Sequence, residues 1–279
     1  MRQTAREAGT PLDRLRKEVT HQRLLARLVR VAPDGFWALK GGQVLLARLG
    51  PRARATKDAD ATWRKSADTF GGFLDQAVDL DLHDHFAFEA AAPRRLEAET
   101  GEGGLRYPIL ALVGGREFER IQLDVNFVAE DPRPIEHLQL RDLVGIAAID
   151  PPQVPVVHIG QHLAEKLHAY TRDYVHGNSR PRDLFDMLVI ALHLPLPDAT
   201  KLVAVLRQTF ELRQTRWPPQ LRPPPPDWEK SWFVYVEEHG VPWSDLEEAY
   251  NALAKLMQPL LDGDAQPGAA WNPAAWEWI

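Results

Sequence analysis

The chain has 279 residues and a formal net charge of −6, with 44% hydrophobic and 26% charged residues, the profile of a globular protein rather than a disordered or fibrous one. No apolar run reaches the ~20 residues of a membrane helix, and the stretch Met1 to Glu7 has no apolar core of the kind a secretory signal needs. With no cysteine, disulfides, thiolate zinc sites and cysteine nucleophiles are excluded together, and a cytoplasmic protein with no membrane association is expected. Charge is distributed unevenly. Residues 1–57 hold thirteen Lys/Arg against four Asp/Glu, while the other 222 hold 20 against 35. A basic segment on an acidic body suits one face that meets phosphates, although Arg14, Arg16, Lys17, Arg23, Arg27 and Arg30 could equally line the solvated side of a helix.

In chain order, Leu12, Leu15, Val19, Leu24, Leu28 and Val31 recur at helical spacing and predict a helix over 11–31, stopped by Pro33-Asp34-Gly35. Phe36 to Leu39 reads as a buried strand, 43–49 as a short helix, and Thr56 to Trp63 as the next strand. A helix over 66–82 and a strand at Phe86 to Phe88 follow. Leu105–Val113 and Glu117–Val128 flank Gly114-Gly115 as a β-hairpin. In its second arm Ile121, Leu123, Val125 and Phe127 alternate with polar residues. From about 139 the chain is expected to be helical, with its clearest helices at Gln161–Tyr174 and Arg182–Leu192, joined by the Gly177-Asn178-Ser179 loop. Residues 217–226 carry six prolines in ten and predict a stiff extended connector. Ser244 to Glu247 is a capping box opening a last helix. Seven of the nine tryptophans lie after residue 216. The expected organisation is a core at 1–138, a helical domain at 139–261 and a flexible Trp-rich tail at 262–279.

The stretch richest in chemistry is Lys40-Gly41-Gly42, followed by Arg54-x-Thr56-Lys57-Asp58-x-Asp60. Two carboxylates one residue apart on a strand point the same way, and such a pair invites a hard cation such as Mg²⁺. A Gly-Gly turn ahead of a helix exposes backbone N–H groups to a phosphate tail. Neither feature is specific alone, since Asp79-x-Asp81 also occurs here and a Gly-Gly pair is more often simply a turn. Asp79 to His85 offers five potential ligands but no fixed zinc spacing, so a solvated acidic loop is the expectation. Tyr107 and Tyr170 fit core packing as well as a platform for a base.

The combination Lys40-Gly41-Gly42 and Arg54-x-Thr56-x-Asp58-x-Asp60, with Leu123-Asp124-Val125 on a later strand, Lys166 on a helix and Arg182-Asp183-Leu184-Phe185-Asp186 downstream, resembles the AbiEii/AbiGii toxin family of nucleotidyltransferases. The resemblance covers roughly residues 15–260. It implies an α+β chain: a polymerase-β-type mixed sheet followed by a helical C-terminal half that closes over the nucleotide. It also implies Mg²⁺-dependent transfer of a nucleoside monophosphate from an NTP to an RNA acceptor, the tRNA 3′ end, by the toxin of a toxin–antitoxin pair with a cognate antitoxin. On the matching positions, Asp58 and Asp60 would hold Mg²⁺, with Asp124 a third carboxylate or simply a residue on the wet face of a hairpin. Gly41 and Gly42 would face the phosphates where nucleotidyltransferases often have Gly-Ser. Lys166 would contact the triphosphate and Asp183 would complete the site. Hairpin geometry speaks against a direct Lys166–Asp183 ion pair, so these two are expected to meet across the nucleotide, while Asp186 is expected at the helix surface or paired with Arg182. A protein hydroxyl as acceptor, or a non-catalytic binding module on the same fold, are the alternatives.

Overall fold

The computed structural model describes residues 1–7, 9–56, 58–96, 104–128, 134–143, 150–174 and 178–279. Lys57, Gly177 and the 144–149 part of the expected helical run lie outside the described residues. The chain forms two compact units: Met1–Arg48 with Ala55–Val157, and Leu49–Arg54 with His158–Ile279.

The first unit opens with α1 (Arg2–Glu7) and α2 (Leu12–Val31), followed by β1 (Trp37–Lys40), α3 (Gly41–Leu49), β2 (Ala59–Trp63) and α4 (Ala67–Asp79). Then come β3 (Phe86–Ala90), β4 (Arg94–Leu96), β5 (Gly104–Val113), β6 (Arg116–Phe127), β7 (Ile135–Gln139) and β8 (Gln153–Val157). The sheet runs β3-β5-β6-β2-β1-β8-β7, with β4 paired to β5. It is mixed: β2 pairs parallel with β6 and β1 parallel with β8, while the other pairs are antiparallel.

The period-2 pattern read in β6 is what builds this sheet. Ile121, Leu123 and Val125 join Ala59, Ala61, Trp63, Tyr107, Ile109, Trp37 and Leu39 in one buried cluster with residues of α2 and α4. Trp63, Phe70 and Tyr107 form its aromatic centre, with ring centroids 5.2 and 5.0 Å apart along the chain of contacts. Tyr107 is therefore a core residue rather than a base platform, and burial pushes its hydroxyl pKa up to about 12. Two expectations are corrected here. The 139–157 stretch holds strand β8 rather than helix, and the first unit ends at Val157 instead of 138, because β7 and β8 are sheet members.

Part of the basic N-terminal segment is engaged within this unit. Arg14 pairs with Glu18, and Arg16 pairs with Glu119 and lies over the Phe118 ring. Arg27 is fully buried: it binds Asp84 through both Nη atoms (2.9 and 2.6 Å) and donates to the carbonyls of Leu80, Phe86 and Arg23. Asp84 is thus the one residue of the acidic Asp79–His85 loop that is buried, and Arg27 holds its pKa below the usual carboxylate value against the cost of burial. Removing one member of such a pair leaves the other charge buried alone. Asp84→Ala is expected to lower unfolding stability by about 3–5 kcal/mol in urea melts, and a loss under about 1 kcal/mol would show that the pair is not a keystone.

The second unit is helical: α5 (Ile159–Thr171), α6 (Pro181–His193), α7 (Ala199–Leu212), α8 (Glu229–His239) and α9 (Leu246–Asp262), followed by a hairpin of β9 (Trp271–Asn272) and β10 (Glu277–Trp278). The α9 cap is shifted one residue from the predicted box. Asp245 accepts from the Glu248 N–H at 2.8 Å, and the Glu248 carboxylate reaches back to Ser244. The expected flexible tail is instead a docked hairpin. Buried indole N–H groups need acceptors, and helix carbonyls supply them: Trp271 donates to Ala191, Trp276 to Ala252 and Trp278 to Leu256 (2.9, 2.8 and 2.9 Å). Ala191 lies in the last turn of α6, so Trp271 satisfies a carbonyl that the helix end leaves without an internal partner. No described helix is long and apolar enough to cross a membrane.

Candidate active site

One register line crosses four strands of the first unit. Lys40 on β1 is opposite Asp60 on β2, Asp60 is opposite Asp124 on β6, and Asp124 is opposite Arg106 on β5. Residues at matched register share a sheet face, and these positions alternate with the buried Leu39, Ala61, Val125 and Tyr107. Two carboxylates therefore stand on neighbouring strands with a cationic residue on either side. The sequence left Asp124 suspended between site and wet hairpin face because strand register is invisible in one chain; the β2–β6 pairing sets it beside Asp60.

Arg106 is a site residue with no motif in the sequence to mark it. It grips Asp124 with two hydrogen bonds of 2.7 Å, through Nε and Nη2, and its Nη2 lies 3.9 Å from Asp58 Oδ2. The Asp124 hydrogen bonds, more than burial opposes, raise the Arg106 pKa above its ordinary value. Asp58 lies one residue ahead of β2, and its side chain is 42% exposed. The usable signal was an arginine in an otherwise apolar β5 pattern, but nothing in the sequence paired it with residue 124.

The glycines are fixed by their neighbours. Gly41, at the start of α3, has φ +67°, and a Cβ there would fall on the Asp60 carboxylate, 3.0 Å from its Cγ. A Cβ on Gly42 would stand 2.8 Å from Thr56 Cβ and 2.9 Å from its Oγ1. That crowding explains why this chain has Gly-Gly where serine is common in such turns. Thr56 in turn donates to the Asp58 carbonyl at 3.2 Å, tying the segment before β2. The turn, Thr56 and the Asp58/Asp60 pair are one packed assembly.

The remaining expected site residues lie in the second unit. Lys166 on α5 and Asp183 on α6 make the direct ion pair that hairpin reasoning disfavoured: Nζ is 3.0 Å from Asp183 Oδ1 and 2.6 Å from Asp186 Oδ2. Asp186 is not at the surface or paired with Arg182. It is buried and binds Arg54 through both oxygens, at 3.0 and 2.9 Å. Arg180 adds a contact of 3.6 Å to Asp183. The expectation failed because Asp183 and Asp186, one turn apart on α6, point at the same stretch of α5. Burial opposes every charge in this cluster. Even so, Asp186 and Asp183 hold the Lys166 pKa above its usual value, and Lys166 and Arg54 hold Asp186 below its own. Asp186 likewise raises Arg54.

Which residues could hold a divalent cation follows from donor chemistry. Asp58, Asp60 and Asp124 offer only carboxylate oxygens, the hard donors Mg²⁺ prefers, and Mg²⁺ is commonly held by one or two carboxylates together with substrate phosphates. Arg106 already stands as a cation between Asp124 and Asp58, so their charge is arranged around a positive centre. Among the described residues no group of three or more His, Asp or Glu side chains is drawn tightly enough to form a protein-only metal cage.

Residues 23–271 match the family described as Nucleotidyl transferase AbiEii toxin, Type IV TA system. No curated protein matches the chain. Among solved structures, MenT4, a nucleotidyltransferase toxin from Mycobacterium tuberculosis H37Rv, superposes with a TM-score of 0.53 at 22% identity, covering 73% of this chain and 67% of its own. An antigenic nucleotidyltransferase-like protein from Paracoccidioides brasiliensis gives 0.43 at 16%, covering 71% and 89%. ANT(2″)-Ia in complex with adenylyl-2″-tobramycin gives 0.34 at 19%, covering 71% and 97%. The first likeness identifies the fold.

Proposed function

Because the chain belongs to the AbiEii nucleotidyltransferase toxin family of type IV toxin–antitoxin systems, we propose that it moves a nucleoside monophosphate from an NTP onto RNA, with tRNA 3′ ends as the acceptor, Mg²⁺ as the metal and a cognate antitoxin as its cytoplasmic partner. The observation that carries the catalytic part is the register line that sets Asp60 and Asp124 side by side, next to Asp58 and the Gly41-Gly42 turn.

In the reaction an RNA hydroxyl oxygen bonds to the α-phosphorus, the bond from phosphorus to the pyrophosphate oxygen breaks, and the hydroxyl proton is released. Asp58 and Asp60 would hold the Mg²⁺, with Asp124 as a third carboxylate; when bound, the ion neutralises charge on the phosphoryl and leaving oxygens. Gly41 and Gly42 let the turn pack against Asp60 and Thr56, and the backbone N–H groups at the start of α3 would face a triphosphate beside those carboxylates. Arg106 fixes the Asp124 carboxylate and adds positive charge beside it. Lys166 and Asp183 contribute as the frame of the helical unit. A direct contact of Lys166 with the triphosphate is the second reading, favoured by its place in the family pattern.

Incubating the purified chain with α-labelled NTPs, Mg²⁺ and total RNA tests the proposal. Ribonuclease-sensitive label that disappears with EDTA is the expected result. Ribonuclease-resistant label migrating with protein would move the acceptor to a protein hydroxyl. No label on any species, together with toxicity that survives Asp58→Ala, would turn the reading towards a non-catalytic binding module.

A further inference from the structure

The second unit contains a cleft that the chemistry above does not use. It has a volume of about 520 Å³ and lies between the end of α5 and the proline-rich strap at 216–225. That is within the ~300–1,000 Å³ range of small-ligand pockets, large enough for a nucleotide and too small for a duplex. Its floor is Tyr170 and Trp228, both buried, with ring centroids 6.0 Å apart. The strap is anchored over them: the Tyr170 hydroxyl donates to the Arg222 carbonyl at 2.8 Å, and the Trp228 indole donates to the Asn178 carbonyl at 2.8 Å. Proline rings form one rigid wall, so little conformational entropy remains to be lost when a flat ligand enters.

The rim is cationic. The second unit as a whole is acidic, with thirteen Lys/Arg against sixteen Asp/Glu, yet Arg172, Arg216 and Arg222 line this cleft with Asp173 as the only lining carboxylate among the described residues. Arg222 and Asp173 pair at 2.6 Å, but both are largely exposed, so that pair is easily exchanged for another anion. Arg172 lies 5.0 Å over the Tyr174 ring, and Arg207, just outside the cleft, lies 4.6 Å over Trp217. The local field reaches inward: burial, then Arg213 and Arg172, lower the pKa of nearby His168 to about 4. Arginines interleaved with aromatic and proline faces match a chain that alternates phosphates with flat bases. The N-terminal basic helix is a poorer candidate, since Arg14, Arg16 and Arg27 are already engaged with carboxylates.

We infer that this proline-walled cleft binds unpaired RNA, taking one base against its proline rings and the half-buried Trp217 and adjacent phosphates on Arg172, Arg216 and Arg222. The inference rests on the reading that RNA is the acceptor, and it assigns an unpaired stretch of that RNA, not its reacting terminal hydroxyl, to a surface of the helical unit.

The test is fluorescence anisotropy with the full chain and a labelled single-stranded RNA 12-mer, a blunt RNA duplex of the same length, and the charge-reversed variant Arg216→Glu/Arg222→Glu. Thermal melting confirms that the variant is folded. The expected result is binding of the single strand at least tenfold tighter than the duplex, weakened at least tenfold in the variant. A second variant, Arg172→Gln, should weaken binding about threefold to tenfold and flatten its salt dependence. Equal binding by wild type and both variants would overturn the cleft while leaving nucleotidyl transfer to RNA intact. Equal affinity for strand and duplex would overturn it as well. Binding that follows the cleft variants in a protein that never labels RNA would keep the cleft and remove the transfer reaction, so the two failures separate.

Discussion

Asp60→Asn is expected to lower kcat/KM for nucleotide incorporation into RNA by at least about a thousandfold, the equivalent of roughly 4 kcal/mol of lost transition-state stabilisation. Asn keeps the shape that packs against Gly41 and removes the charge, so the effect reads electrostatics rather than a void. Asp60 stands at the centre of the charged line, between Lys40 and Asp124. Its replacement should therefore cost more than that of Asp58, whose side chain is 42% exposed ahead of the strand. Initial rates of label incorporation over a Mg²⁺ titration decide the matter. A variant keeping more than a tenth of wild-type activity at saturating Mg²⁺ would remove Asp60 from the metal site. Gly41→Ala should mimic the loss from the opposite side, because its new methyl group must push the Asp60 carboxylate out of place.

The second large effect concerns Lys166. Its ammonium and the Arg54 guanidinium face Asp183 and Asp186 in a buried cluster, with the more exposed Arg180 at its edge against Asp183. Lys166→Met preserves length and burial and leaves Asp183 and Asp186 to Arg54 as their one buried cation, so a loss of about 3–5 kcal/mol in urea unfolding is expected. Lys166→Met with Asp183→Asn restores the balance and should recover part of that loss. The pH dependence has a definite sign. The raised Lys166 pKa contributes stability that is present at neutral pH and is lost as pH rises through it. The lowered Asp186 pKa contributes stability that is present above the ordinary carboxylate pKa of about 3.9 and is lost as pH falls. The part of the alkaline loss that comes from Lys166 should be absent in Lys166→Met, while the buried tyrosines keep theirs. If the ammonium instead mainly touches a triphosphate, the urea midpoint will hold and KM for the NTP will rise.

Much of the first unit was readable because its signals are local. Gly114-Gly115 between alternating arms gave the β5–β6 hairpin, Pro33-Asp34-Gly35 ended α2, and Gly41-Gly42 with Asp58-x-Asp60 marked the charged turn. What was hidden depends on partners far apart in sequence. Arg106 and Asp124 are 18 residues apart, and Arg27 and Asp84 are 57. No periodicity pairs an arginine with one carboxylate among many. The tail was misread for a related reason. Its Gly, Pro and Ala content looks loose, and only the carbonyls of α6 and α9 reveal where Trp271, Trp276 and Trp278 are anchored. Separation along two helices disfavours a Lys166–Asp183 pair, and the direction of the α6 side chains overrides it.

Arg54 has a consequence for anyone dividing this chain. It belongs to the helical unit by its contacts with Asp186, yet it lies only four residues before Asp58, on a stretch that leaves the sheet unit and returns to it. A fragment beginning at His158 would fold its helices around an acid that has lost its guanidinium. A fragment ending at Val157 would carry that arginine with nothing to hold. A fragment of residues 158–279 should therefore unfold at lower urea than the same helices with residues 49–54 supplied on the N-terminal piece.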